Sequence, residues 1–210
     1  MQKNYSRGEE IANSISHGVG TLFSAVGLGV LSTMSIICGT TMSVVSSIIY
    51  GITLFLMFLS STLYHAFSGE KLKKLFKKFD HCSIFLLIAG SYTPFTLITL
   101  KGKVGYTLFV IIWLLAICGV FLKVLAINKT EKLSLIFYIA MGWLVLFSLE
   151  PLVENLARNG LLLLLLGGIS YTVGVIFYML KKTPYMHMVW HLFVLAGSVF
   201  HFLSIAIYVI

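Results

Sequence analysis

Seven apolar runs, each set off from the next by a short polar break, constrain this chain more than any other feature. A helix needs about 20 mainly apolar residues to cross a hydrocarbon core of roughly 30 Å. The runs have about that length: His17–Cys38, Val44–Ala66, His81–Leu100, Val104–Ala126, Leu133–Leu149, Gly160–Leu180 and His187–Ile210. Backbone in lipid must be hydrogen-bonded internally, and none of these runs alternates as the strands of a membrane barrel do, so helices are expected. Composition agrees, because 59% of the 210 residues are hydrophobic and 10% charged, too few charges to coat a soluble surface. The expected fold is an all-α membrane protein, a seven-transmembrane helix bundle in one domain over residues 1–210, without linker or internal repeat. Gly20, Gly27, Gly90, Gly142 and Gly174 would let helices approach closely.

The net charge of +8 does not point to nucleic acid, since the basic residues lie in the breaks rather than on one globular surface. They set orientation instead, because cytoplasmic loops retain Lys and Arg. With the N-terminus inside, the inner segments hold Lys3, Arg7, Lys71, Lys73, Lys74, Lys77, Lys78, Lys123, Lys129, Lys132, Lys181 and Lys182. The outer segments hold only Lys101, Lys103 and Arg158, so the N-terminus is expected in the cytoplasm and the C-terminus outside. Lys71–Phe79, with Leu72, Leu75, Phe76 and Phe79 opposed to lysines, is expected to lie along the anionic inner leaflet. Glu9 and Glu10 precede the first run without a small-residue cleavage pattern, so that run is expected to be a mature helix rather than a signal peptide. Cys38, Cys82 and Cys118 are odd in number and widely spaced, and are expected to be free, buried thiols.

In this topology five of the six histidines fall at the cytoplasmic end: His17, His65, His81, His187 and His191, with Asp80 at the same level. His201 lies about 15 Å beyond His191 at 1.5 Å per residue, and is expected to hydrogen-bond to a neighbouring helix. His187 and His191 stand one helical turn apart on one face, a separation suited to a shared metal. Position 188 is methionine, so the zinc-protease arrangement of a glutamate beside the ligands is missing and any base must come from another helix. Asp80 is the candidate, since a carboxylate at this depth needs a cation, water or a partner. His65 would supply a third nitrogen, and Ser61 lies one turn deeper on the same face. Three histidines and a water form an open zinc site, which lowers the pKa of its water to roughly 7 and polarises a carbonyl. His17 and His81 either support this site or face the headgroups, where histidines also gather because they are amphipathic. Trp113, Trp143 and Trp190 are expected to pack or to form an interfacial belt.

These residues resemble the hemolysin III family, the bacterial branch of the seven-helix adiponectin and progestin receptor superfamily, which is more distantly similar to the alkaline ceramidases. The resemblance spans essentially the whole chain. It is carried by Glu10, Asn13, His17 and Gly18, by Ser61 and His65 in a Ser-x-x-x-His pattern, by Asp80, Gly90, Ser91 and Pro94, and by His187, His191 and His201. It implies zinc held by His65, His187 and His191, with Asp80 reaching it through water and Ser61 nearby. The long N-terminal domain of the animal receptors has no counterpart here, so hormone binding is not expected.

The expected function is a zinc-dependent hydrolase of a membrane lipid amide or ester, with Asp80 and Ser61 as its catalytic side chains, in a bacterial plasma membrane. Membrane lipids are its expected partners and nucleic acid is not. Self-association is left open. Two other classes stand beside it: a cytolysin that permeabilises host membranes, as the family's name suggests, and a regulator of membrane lipid homeostasis with structural zinc. A secreted pore former must first be soluble, which this chain is not.

Overall fold

The computed structural model describes residues 5–127, 130–180 and 182–210, and among these every regular element is a helix. Lys3, Lys129 and Lys181, three of the charges used to assign orientation, lie outside the described residues. Seven helices are long and apolar enough to cross a membrane: α1 (Arg7–Cys38), α2 (Thr41–Ala66), α3 (Glu70–Leu100), α4 (Gly102–Ala126), α5 (Glu131–Asn155), α6 (Arg158–Met179) and α7 (Met186–Tyr208). The chain is thus a multi-pass integral membrane protein.

Its polarity is inverted relative to a soluble domain. Large apolar side chains such as Leu22, Leu125 and Phe147 point outward, where lipid replaces water. The interior is rich in small polar groups, among them Ser24, Ser35, Ser47, Ser61, Ser198 and Ser204, which are fully buried or nearly so. With no hydrophobic force between helices in lipid, contact depends on close approach and interhelical hydrogen bonds. Ser35 and Ser47 join α1 to α2 at 2.6 Å, Ser60 and Ser83 join α2 to α3 at 2.9 Å, and Ser204 Oγ donates to the Gly160 carbonyl, joining α7 to α6 at 2.9 Å. Gly119 lets α4 sit against the Phe85 ring of α3, since a Cβ there would lie 2.4 Å from that ring.

The α1–α2, α2–α3 and α6–α7 pairs pack most extensively, and α1 also meets α7, which draws the last helix against the first. α5 packs more sparsely, and it is interrupted. Its α-helical turns end at Gly142, a 3-10 stretch covers Leu144–Ser148, and α-helix resumes over Leu149–Asn155. Tyr92 of α3 repairs the break: its hydroxyl donates to the carbonyls of Met141 and Gly142 and accepts from Val145 N–H, each at 2.9 Å. α3 passes into a π-helical stretch at Phe95–Leu100, directly after Pro94, where the missing N–H loosens the ladder.

Two boundaries correct the sequence expectation. α1 begins ten residues earlier than its apolar run because Ser6 caps it: Ser6 Oγ accepts from Glu9 N–H and Glu9 Oε2 accepts from Ser6 N–H. Lys71–Phe79 is not a separate element lying along the leaflet but the opening of α3, whose α-helical part runs unbroken over Glu70–Pro94. No Gly or Pro interrupts that stretch before Gly90, and Phe76 stacks on Phe67 at the end of α2. The cysteines are free, as expected, but only Cys82 is buried, while Cys38 and Cys118 face outward.

Candidate metal centre

The starts of α1, α3 and α7 and the end of α2 meet at one end of the bundle. The early start of α1 puts Glu9, Asn13, Ser16, His17 and Gly20 on a buried stripe at helical spacing. The last turn of α2 brings Ser61 and His65 to the same level. α7 opens from Tyr185, a non-glycine residue in the left-handed region at φ 61°, and its N–H donates to Glu9 Oε1 at 3.3 Å. The α1 capping residue thereby also fixes the entry to the helix that carries His187 and His191.

His65, His187 and His191 are all buried, and one ring nitrogen from each lies within 4.8 Å of the other two. Zinc–nitrogen bonds of about 2.0–2.1 Å place the nitrogens of a tetrahedral set roughly 3.4 Å apart, which small side-chain rotations can reach. His65 Nδ1 is 2.6 Å from Glu10 Oε2. With the proton placed on Nδ1 to suit that carboxylate, the Nε2 lone pair is left for a ligand, and Nε2 has no protein hydrogen-bond partner. His191 repeats the pattern. Its Nδ1 lies 3.2 Å from the Asn13 carbonyl and 3.0 Å from Ser16 Oγ, while its buried Nε2 has no protein partner. Donor types, spacing and outer partners therefore fit a transition metal such as zinc, whereas calcium or magnesium would need more oxygens.

Glu10 also pairs through its other oxygen with Lys73, so one carboxylate ties α1 to both α2 and α3. Lys73 in turn lies over the Tyr64 ring, 5.4 Å from its centroid. Tyr5, just ahead of α1, covers the cluster, with its ring centroid 5.0 Å from that of His187 and 5.8 Å from that of His65. Burial, reinforced by Tyr64 and the Glu10 carboxylate, pushes the Tyr5 phenol above its ordinary pKa, so it remains neutral.

Asp80 is buried in α3 at the same end but lies outside the mutually close set of ligand atoms. His65, Ser61, Lys123 and Lys77 form its electrostatic surroundings. Ser61 is fully buried, and its hydroxyl stands outside ordinary hydrogen-bond geometry. Lys123, near the end of the Val104–Ala126 run, counts among the inner charges of the orientation argument. α4 ends at Ala126 as expected, and the structure buries this charge: Lys123 is only 1% exposed and close enough to act on both Asp80 and Cys82. A lysine at the end of an apolar run carries no sequence signal that separates burial from the membrane surface. Asn13 and Ser16 as supports of His191 could have been found by extending the helix back to the Ser6-x-x-Glu9 capping pattern.

Of the remaining histidines, His17 joins the cluster by stacking on His191, with centroids 3.6 Å apart and planes within 14°. The His81 side chain does not belong to the three-histidine set, and its carbonyl accepts from the Tyr138 hydroxyl at 2.8 Å. His201 makes the expected interhelical bond, with Nε2 donating to the Leu164 carbonyl at 3.3 Å. Trp113 and Trp143 donate to Thr93 and Thr172, and Trp190 packs against His187 and Tyr178.

A cavity of about 330 Å³ extends from this end into the bundle. Its wall runs on α3 from Asp80 to Leu100, roughly 30 Å of axis at 1.5 Å per residue. Apolar side chains of α5, α6 and α7 form most of the remainder, and His201 marks its deep part. The three clustered histidines are not in the wall. His17 and Asp80 are, and they form the contact between cavity and cluster.

Fold and site together define a polytopic helical membrane protein with a buried three-histidine cluster that could hold a metal beside an apolar cavity. The family described as haemolysin-III related matches residues 5–202. The chain is 48% identical over 202 residues to hemolysin-3 of Bacillus cereus, covering 96% of this chain and 92% of that protein. It is 44% identical over 200 residues to the hemolysin-3 homolog of Bacillus subtilis (strain 168), covering 95% and 94%. With the human monocyte to macrophage differentiation factor it shares 30% identity over 204 residues, covering 94% and 83%. No solved structure matches. The chain belongs to the haemolysin-III-related family.

Proposed function

We propose that this protein is a zinc-dependent hydrolase of a membrane lipid amide or ester, with its metal end facing the cytoplasm of a bacterial plasma membrane. The observation that carries this reading is the juxtaposition of three convergent imidazoles with a long apolar cavity whose end is formed by Asp80 and His17. Zinc in a three-histidine set supplies Lewis acidity and makes water a competent nucleophile near neutral pH. The chain's own residues do the rest. The apolar wall takes an acyl chain out of the bilayer and excludes water around the reacting carbonyl. Asp80, with Lys123 and Lys77 close by, accepts a proton from water and passes it to the departing amine or alcohol. Ser61, one turn from His65, keeps that water in line. Lys71, Lys73, Lys74, Lys77, Lys78 and Lys182 all belong to the metal end, which supports the cytoplasmic assignment of that end.

The test is turnover of ceramides, acyl amides, phospholipids and lysolipids by purified zinc-loaded protein, with an Asp80→Asn variant beside it. The expected result is hydrolysis of one of these classes, lost in Asp80→Asn while fold and zinc remain. Stoichiometric zinc with no turnover of any of them would sink the reading. If His191→Ala then lowered thermal stability together with zinc content, the metal would be structural and the protein a regulator of lipid composition. Lysis of defined vesicles that persists in His187→Ala would instead favour the cytolytic activity named in the Bacillus cereus relative.

A further inference from the structure

His17 is a buried histidine at the metal end that neither the three-ligand set nor the acid–base chemistry of Asp80 uses. It is 1% exposed and lines the cavity, and neither ring nitrogen meets a hydrogen-bond partner. The backbone of His191 is near enough to polarise it but stands outside hydrogen-bond geometry. A buried polar atom left unpaired costs free energy, so an imidazole is a poor choice here unless something in the cavity pairs with it.

Its position excludes service as a fourth metal ligand. The His17 ring lies parallel to that of His191, face on face at 3.6 Å. Parallel stacked rings carry their nitrogen lone pairs side by side, whereas ligands of one ion must point at a common centre. The Phe58 ring meets His17 edge-on at 5.0 Å, and Trp190 lies on another side at 6.4 Å, so both stack and aromatic wall hold its orientation. An imidazole held this way presents a donor N–H and an acceptor lone pair to a chain otherwise surrounded by hydrocarbon.

We propose that His17 is the headgroup-binding residue of the cavity: it hydrogen-bonds the carbonyl of an acyl amide or ester and places that carbonyl against the His191 side of the metal centre. This rests on the lipid-hydrolase reading for the class of ligand, yet it concerns binding and is measured without turnover. The split of labour is physical. Asp80 has Lys123, Lys77 and Ser61 around it and handles protons. His17 meets the rings of Phe58, Trp190 and His191 and faces the cavity, and handles position.

Trp143 and Trp190 line the cavity and Trp113 does not, so a brominated acyl chain entering it quenches part of the intrinsic fluorescence. Zinc-loaded full-length protein would be titrated with dibromostearamide and with dibromooctadecane, which shares the chain and lacks the headgroup. The variants are His17→Phe, which keeps an aromatic stack and removes both nitrogens, and His17→Gln, which keeps a donor and an acceptor. Wild type should prefer the amide, and His17→Phe should weaken amide binding about tenfold, the value of one net hydrogen bond. Hydrocarbon binding and zinc content should not change, and His17→Gln should restore most of the amide preference. Equal weakening of both probes, an unaltered amide affinity, or loss of zinc in either variant would overturn the proposal. Should His17→Phe fail to fold, His17→Gln decides alone: a lost amide preference in a folded, zinc-loaded Gln variant refutes the assignment. A protein that hydrolyses nothing yet shows this His17-dependent preference would remove the hydrolase reading and leave headgroup binding in place.

Discussion

Replacing Glu10 by alanine should weaken zinc binding about 10- to 100-fold without touching a metal ligand, in the range found when a histidine's outer partner is removed. The expectation follows from the two oxygens of this carboxylate. One lies 2.6 Å from His65 Nδ1, a charge-assisted bond that fixes both the tautomer and the ring orientation. Hydrogen bonds to a charged group contribute about 1.5–3 kcal/mol, and at 1.4 kcal/mol per decade that corresponds to about 10- to 100-fold in affinity. The other oxygen meets Lys73, but the two side chains are 18% and 27% exposed, so this pair is partly screened. Such a pair is worth at most about 1 kcal/mol, and Lys73→Met should cost less than about fivefold in affinity. Glu10→Gln retains an acceptor without its charge and should fall between, near tenfold. Competition against a fluorescent zinc chelator in detergent measures all three. A Glu10→Ala protein with wild-type affinity, or a Lys73→Met loss as large as that of Glu10→Ala, would refute the assignment of Glu10 as the support of His65.

Because imidazoles bind metal only when deprotonated, zinc occupancy should fall as pH falls, with a midpoint below the free imidazole value of about 6.5 since metal competes with protons; full occupancy far below that range, read by metal analysis after dialysis, would contradict a three-imidazole site. Gly119→Ala should lower stability by about 1–3 kcal/mol, because its Cβ would lie 2.4 Å from Phe85, a ring only 1% exposed. Gly29→Ala, which meets nothing within 4 Å, should cause no loss, and thermal unfolding in detergent compares the two. With Cys38, Cys82 and Cys118 replaced by serine, a Lys74→Cys protein should react with a membrane-impermeant maleimide only in inverted vesicles, and its labelling from the outside of intact cells would reverse the proposed orientation.

The bundle was legible because lipid imposes one rule on every span, so seven apolar runs could be counted without knowing how they pack. Their ends were less legible. A run drawn by hydropathy stops where charge begins, whereas the Ser6 cap and the unbroken Glu70–Pro94 stretch carry helix well into charged sequence. His65, His187 and His191 could be brought together on paper because α2 ends and α7 begins at the same side of the membrane. The supports of His191 come into reach only when α1 is extended back to its Ser6 cap. Asn13 and Ser16 act through a carbonyl and a hydroxyl on a turn that hydropathy leaves outside α1, and Lys123, though inside its run, shows no sign in sequence of being buried rather than at the membrane surface.

The interruption of α5 leaves two carbonyls and an amide that hydrocarbon would not tolerate, and a single phenol on α3 satisfies all three. Each such group stranded in lipid costs several kcal/mol, so the break in α5 is tolerable only while Tyr92 stays beside it. One side chain of α3 thus fixes where the two helical parts of α5 join, and a Tyr92→Phe change would strand all three groups at once.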